Sequence, residues 1–278
     1  MLKAHEVAPD TFVIPTPHQV PGRGLLFVNS MVIRGQEPVL IDTTQPVSRE
    51  SWLSMVFELV DPKDVRWIFL THDDRDHSGN IMQALAMCPN ATLVTNFIGV
   101  GKLGYEMPIP IERVRFMNDG ESFDIGDRKL VAVRPPLFDA PGTRGVYDAK
   151  TGVYFAADAF GASVPHECER IDDMPFDVWL EGFYWFNRAN HSWHELADPI
   201  KVDMEIDKLR ALEPEVIVSG HGPTAIGRSR QLFDLIAHIP RMPKLPEVTQ
   251  HDLEELLTGG ANAAPPAPES TAGEGSPA

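Results

Sequence analysis

Apolar residues recur along this chain in two spacings. Strand-like runs at Thr11 to Ile14, Leu25 to Ile33 and Val39 to Asp42, separated by turns such as Pro21-Gly22, predict a β-meander. Ser48 to Val60 carries its apolar positions at helical spacing and predicts an amphipathic helix. Trp67-Ile-Phe-Leu70 predicts a short, buried strand that stops at the polar segment Thr71 to Asn80. Ile81 to Met87 then predicts a helix and Ala91 to Thr95 another buried strand, so the pattern becomes βαβ and implies a sheet covered by helices. From Val114 short strands return, at Lys129 to Val133, Val146 to Asp148 and Val153 to Ala157, with Asp148-Ala-Lys-Thr-Gly152 as a hairpin turn. Met174 to Leu212 is mostly helical by pattern, and Val216 to Ser219 is a buried strand running into Gly220-His221-Gly222-Pro223. Both halves follow one plan, meander then helices. Sheets packed face to face with helices outside would bury the apolar faces of each.

Size and charge narrow the class. With 278 residues and 43% hydrophobic content the chain supports one α/β domain, expected over residues 1–258. Residues 259–278 contain almost no large apolar side chains and are expected to form a disordered tail. The formal charge of -16, with no Lys/Arg cluster, argues against nucleic acid and anionic membrane surfaces as partners, leaving small molecules, dioxygen or a protein. No apolar run approaches the roughly 20 residues that span a bilayer, and the first residues lack a signal peptide's pattern, so a cytoplasmic protein is expected. The two cysteines, Cys88 and Cys168, form neither a CxxC pair nor a framework and read as buried thiols.

The chemistry concentrates in Thr71-His-Asp-Asp-Arg-Asp-His-Ser-Gly-Asn80, where an apolar strand ends and a helix begins. A strand end can present alternate residues to one side, so His72 and Asp74 can converge on one ion while Asp76 and His77 serve a second. A solvated acidic loop would explain the aspartates by capping and dipole effects, but not both histidines. Asp158 and His221 share this context, each following an apolar strand, and loops at one sheet edge are where sites collect.

On these residues the chain resembles the metallo-β-lactamase superfamily, whose signature is HxHxDH followed in order by His, Asp and His. His72, Asp76 and His77 match the first motif, Asp158 in FAADAFG the bridging aspartate, His221 in SGHGP the last histidine, and Asp42 in VLIDT the aspartate that braces the site. The fold implied is the α/β four-layered αββα sandwich. Asp74 replaces the middle histidine of HxHxDH, and Asp139 stands at the third-motif histidine. A carboxylate at position 74 is similar to the flavodiiron and oxygen-binding di-iron branch, which carries HxExDH. The resemblance to that branch implies a homodimer.

The replacements change the electrostatics. Asp74, Asp76, Asp139 and Asp158 together cancel the charge of two divalent ions, weaken their pull on water and favour iron, or manganese, over zinc. The reading that follows is a centre of two metal ions, iron favoured, that binds or reduces dioxygen or nitric oxide. No flavodoxin-like segment is found, so no flavin is expected on this chain alone, and a separate protein would supply electrons. The alternative is a metallo-hydrolase that activates water against an ester, thioester or lactone, with Asp76 as the orienting catalytic residue. A second alternative is a degenerate, non-catalytic binding module.

Further residues complete the expectations. Thr143 supports Asp139, while Arg144 competes with a cation for it. His191 and His194, three apart in a helical stretch, share one face and, with Trp185 from Phe183-Tyr-Trp-Phe186, form a candidate pocket wall. His166 and Cys168 follow the Asp158 loop closely enough to reach the site mouth.

Overall fold

Strand alternation decides the layers. In the computed structural model, which describes residues 2–258, the first half contains β1 (His5–Ala8), β2 (Thr11–Val20), β3 (Gly24–Ile33), β4 (Val39–Ile41), α1 (Arg49–Leu59), β5 (Trp67–Phe69), α2 (Arg75–Ser78), α3 (Ile81–Met87), β6 (Thr92–Thr95), α4 (Phe97–Leu103) and β7 (Val114–Phe116). The second half contains β8 (Ser122–Asp124), β9 (Lys129–Val133), β10 (Gly145–Asp148), β11 (Val153–Phe155), α5 (Phe176–Asn190), α6 (Pro199–Arg210), β12 (Val216–Val218), β13 (Ala225–Ile226), α7 (Ser229–His238) and α8 (Gln250–Thr258). The expected tail at 259–278 lies outside the described residues.

Seven strands form one sheet in the order β1-β2-β3-β4-β5-β6-β7, and six form the other in the order β13-β12-β11-β10-β9-β8. Met31, Ile33, Val39, Ile41, Phe69 and Val94 of the first sheet meet Leu130, Val146, Phe155 and Val218 of the second in a dry central layer. Their strand neighbours Val32, Leu40, Ile68 and Leu93 point the other way and pack on Trp52, Val56, Ala84 and Leu85 of α1 and α3. In the second sheet Tyr154 and Ile217 point outward onto Trp179, Phe183, Ile206 and Phe233. The four layers are therefore helix, sheet, sheet, helix, as the period-two pattern requires.

Local differences from the sequence reading have identifiable causes. β2 continues to Val20 through Pro15 and Pro17. Its pairing with β1 covers only Thr11 to Val13, so both prolines lie past the place where that neighbour needs their N–H groups. The helical stretch from Met174 to Leu212 is broken after Asn190 and restarts where the Asp198 side chain accepts from the Ile200 N–H, with Pro199 at the first helical position. α4, which the pattern did not announce, starts at Asn96, whose side chain accepts from the Gly99 N–H.

Topology gathers the polar strand ends. β4 and β5 are parallel neighbours in one sheet, β11 and β12 in the other. Their carboxyl ends carry Asp42, the Thr71 to Asn80 segment, Asp158 and His221, and the loop leading into β10, antiparallel to β11, brings Asp139 to the same edge.

Candidate metal centre

Three imidazoles and four carboxylates meet at this edge. Asp158 Oδ1 lies 2.9 Å from His77 Nε2, 3.4 Å from His221 Nε2 and 3.6 Å from His72 Nε2. Around it two beds separate. His72 Nε2 is 3.5 Å from Asp139 Oδ2 and 3.9 Å from Asp74 Oδ2, while Asp76 Oδ2 is 3.7 Å from His77 Nε2 and 3.4 Å from His221 Nε2. Possible ligand groups are His72, His77 and Asp158; Asp76, His77 and His221; and His72, Asp74 and Asp139.

The hydrogen bonds behind the rings decide what they present. His221 Nδ1 lies 2.9 Å from the Phe27 carbonyl, which can only accept, so the ring proton sits on Nδ1. His77 Nδ1 donates to Asp42 Oδ2 at 2.8 Å. Thr71 gives both its backbone N–H and its hydroxyl to Asp42, each at 2.8 Å. Its hydroxyl oxygen is then free to accept from His72 Nδ1 at 3.0 Å. Every ring thus turns Nε2 toward Asp158, the arrangement in which a histidine ligates metal while its other nitrogen is braced.

That arrangement tests whether the residues fit a metal. His72 Nε2 and Asp158 Oδ1 are buried and make no aligned hydrogen bond among the described residues. His77 Nε2 and His221 Nε2 approach to 3.3 Å, too close for two N–H groups to face each other. Lone pairs converging on a carboxylate oxygen repel unless positive charge sits among them, and protons cannot fill every position. Cations fit.

The same crowding moves the titrations. Burial would raise the Asp158 carboxyl, but His72, His221 and His77 hold it well below the carboxylate range. Burial would depress His77, but Asp158, Asp76 and Asp42 lift it well above the imidazole range, and Asp158 likewise raises His221. Asp76 is also lowered, its burial outweighed by His77 and His221. Asp74 is pushed up to about 6 by burial and by its hydrogen bond with Asp139. Two carboxylates held so near keep a proton or a cation between them.

Backbone strain and close packing hold the loops. Asp42 and Ala157 adopt φ of 59° and 50°, in the left-handed region that residues with a Cβ enter at a cost of about 1–3 kcal/mol. Gly220 is required by contact: a Cβ there would stand 2.7 Å from His77 Cε1. The Phe186 ring covers His221, with centroids 5.1 Å apart.

Other sequence expectations meet the structure individually. Thr143 Oγ1 donates to Asp139 Oδ1 at 3.3 Å. Arg144 does not compete for Asp139: its guanidinium is turned to the carbonyls of Thr143 and Pro141. Asp73 also points away, pairing with Lys102 at 2.9 Å. His191 and His194 do not share a helix face, because α5 ends at Asn190, and His194 belongs to a separate 3-10 turn, His194–Leu196, lying by Ile239. Trp185 is no wall of the centre: it lies under Arg23, 5.1 Å from the guanidinium, and lines a surface cavity of about 330 Å³ with Val164 and Pro165. His166 is exposed, and Cys168 is buried in the helix-side core with its thiol pushed up to about 12. Sequence reasoning missed Asn190, whose Nδ2 holds Asp158 Oδ2 at 2.9 Å, and Asn29, whose Nδ2 donates to the carbonyls of Ser219 and Gly222 on either side of the His221 turn. Asn29 left a trace as a polar residue inside an apolar strand; Asn190 left none.

Comparison with known proteins gives the family. The putative diflavin flavoprotein A 2 of Nostoc sp. is 31% identical over 202 residues, 70% of this chain and 33% of that protein. The anaerobic nitric oxide reductase flavorubredoxin of Salmonella arizonae is 27% identical over 212 residues, 74% of this chain and 43% of that protein. The chain therefore spans about a third of the first relative's length and less than half of the second's. The structure of the flavodiiron protein from Giardia intestinalis superposes with a TM-score of 0.73 at 20% identity, covering 87% of this chain and 59% of that one, which shows a shared fold. Residues 27–222, from the strand that anchors His221 to the glycine after it, match the family described as ODP family beta lactamase, and to that family this chain belongs.

Proposed function

We propose that this chain holds two iron ions in the cluster around Asp158 and binds or reduces dioxygen or nitric oxide there, with electrons delivered by a separate protein. The observation that carries the reading is the single buried oxygen, Asp158 Oδ1, facing three imidazole nitrogens whose protons lie on their far sides. A shared oxygen between His72, Asp74 and Asp139 on one side and Asp76, His77 and His221 on the other suits a pair of ions. The four carboxylates balance two divalent cations and favour the oxidised metal, and oxygen donors favour iron or manganese over zinc. The relatives named as a nitric oxide reductase and a flavodiiron protein support the same chemistry.

A bound iron pair supplies small-ligand binding and electron transfer; the protein's residues supply position and access. Asp42 and Thr71 fix His72 and His77, and Asn190 fixes Asp158. Asp74 and Asp76, with side chains 47% and 37% exposed, form the mouth. Phe186, itself buried, packs its ring on His221.

Elemental analysis of protein purified without added metal, with its optical spectrum, tests this. About two iron per chain is expected in the wild type, loss of both in Asp158→Ala, and loss of one in Asp139→Ala. Zinc retention with turnover of thioesters or lactones would replace the reading by a hydrolase, and a wild-type chain that retains no metal would replace it by a binding module.

A further inference from the structure

The turn after α5 carries a buried imidazole that the ligand set does not use. His191 is 0% exposed. Its Nδ1 lies 3.0 Å from the Asn187 carbonyl, an oxygen that only accepts, so Nδ1 carries the proton and Nε2 presents a lone pair. Among the described residues nothing donates to that Nε2. The ring is firmly aimed, because Asn187 is itself tied down: its Oδ1 accepts from Phe160 N at 3.1 Å, and its Nδ2 donates to the carbonyls of Gly161 and Phe183, each at 2.9 Å.

The flanking residues place His191 beside the centre. Asn190 donates to Asp158 Oδ2, and the Trp193 indole donates at 3.0 Å to the carbonyl of Phe138, the residue before Asp139. His191 thus sits on a short bridge between the segments carrying two carboxylates of the first bed, and both lie within its electrostatic reach. It is nevertheless outside every ligand group found among the described residues. Burial holds its ring below the usual imidazole range, which keeps it neutral near pH 7. An acceptor buried this deeply is destabilising unless something donates to it.

We infer that His191 Nε2 accepts a hydrogen bond from the exchangeable water on the Asp158–Asp139 side of the centre, and through that bond selects which small ligand replaces the water. This rests on reading the cluster as a metal centre. Ligands that carry a proton keep the contact. Bare anions such as azide put negative charge against a lone pair and lose it, so His191 discriminates against them.

The test is azide titration of iron-loaded wild type, His191→Phe and His191→Gln at about pH 7.5, where the ring is neutral, with iron measured in each sample. Binding is followed by the azide-to-iron absorption. His191→Phe should bind azide about fivefold to tenfold tighter, the equivalent of one lost hydrogen bond to the competing water. His191→Gln restores an acceptor and should stay within about twofold of wild type. Should His191→Phe fail to fold, the smaller His191→Leu carries the same expectation. Equal iron with unchanged or weaker azide binding in the apolar variant overturns this inference alone, and so does loss of iron in that variant, which would make the ring a ligand or a support. A wild type without iron overturns the metal-centre reading and this inference with it.

Discussion

Asp42→Asn is the sharpest probe of the braced imidazoles. Asp42 is 1% exposed and accepts three hydrogen bonds, Thr71 N on Oδ1 and both Thr71 Oγ1 and His77 Nδ1 on Oδ2. An asparagine is isosteric but replaces one acceptor oxygen with a donor. If the amide nitrogen takes the Oδ2 place, His77 must move its proton to Nε2, which faces Asp158 at 2.9 Å and can then no longer ligate. The Thr71 hydroxyl must also turn, and His72 loses its fixed acceptor. If instead the nitrogen takes the Oδ1 place, it meets the Thr71 N–H donor. The first case forces the wrong tautomer on His77, the second leaves a buried donor unmatched, and both lose charge-assisted bonds, at about 1–3 kcal/mol. Unfolding of chelator-treated protein should therefore show a loss of about 2–3 kcal/mol, roughly 4–12 °C in Tm. Competition against a chelator should show metal affinity lower by about 10- to 100-fold. Both ions should weaken, because Asp42 braces His77 directly and His72 through Thr71. An Asp42→Asn protein that binds both ions as tightly as wild type would refute the claim that ring tautomer, fixed from behind, sets the ligand geometry.

Two further outcomes follow from the geometry. Asp74→Asn changes the pH profile of chelator-treated protein. The Asp74 carboxyl, pushed up to about 6 when folded, binds more protons in the native than in the unfolded state between roughly pH 4 and pH 6. Stability then falls as pH rises through that window, so the variant should match wild type below about pH 4 and exceed it above about pH 6; a constant difference in Tm across the window would contradict the assignment. Gly220→Ala places a methyl 2.7 Å from His77 Cε1 and 3.1 Å from the Ala157 carbonyl. It should cost about 1–3 kcal/mol and displace first the ion proposed at His77 and His221. Half the wild-type metal content is the expected readout, and full content would show that the ring has room.

What was legible in the sequence was whatever repeats locally. Period-two runs gave the sheets, and ligand-type residues at the ends of apolar runs gave His72, Asp74, Asp76, His77, Asp158 and His221, because a strand that stops at a histidine or aspartate announces itself within a few residues. The braces were not legible. The oxygen that orients His221 is the backbone carbonyl of Phe27, 194 positions away, and a carbonyl has no residue signature. Asn190 reaches Asp158 across 32 positions from the last residue of α5. Helical spacing also misled at His191 and His194, since the helix ends at Asn190, before both, and His194 opens a separate 3-10 turn, although apolar periodicity continues through the segment.

The strained and unpaired groups cluster together for one reason. Asp42 and Ala157 hold left-handed backbone, His72 Nε2 and Asp158 Oδ1 lack aligned partners, and Asp74 shares a hydrogen bond with a second carboxylate, Asp139. Each feature alone is destabilising, and the dry layer between the sheets supplies the stability that tolerates them. Cations among the ring nitrogens and carboxylates would satisfy the unpaired groups and balance the charge together, so binding adds directly to folding free energy. The fold is then more than a scaffold for the centre: it holds apart, at the ends of two parallel strand pairs, groups that only positive charge reconciles.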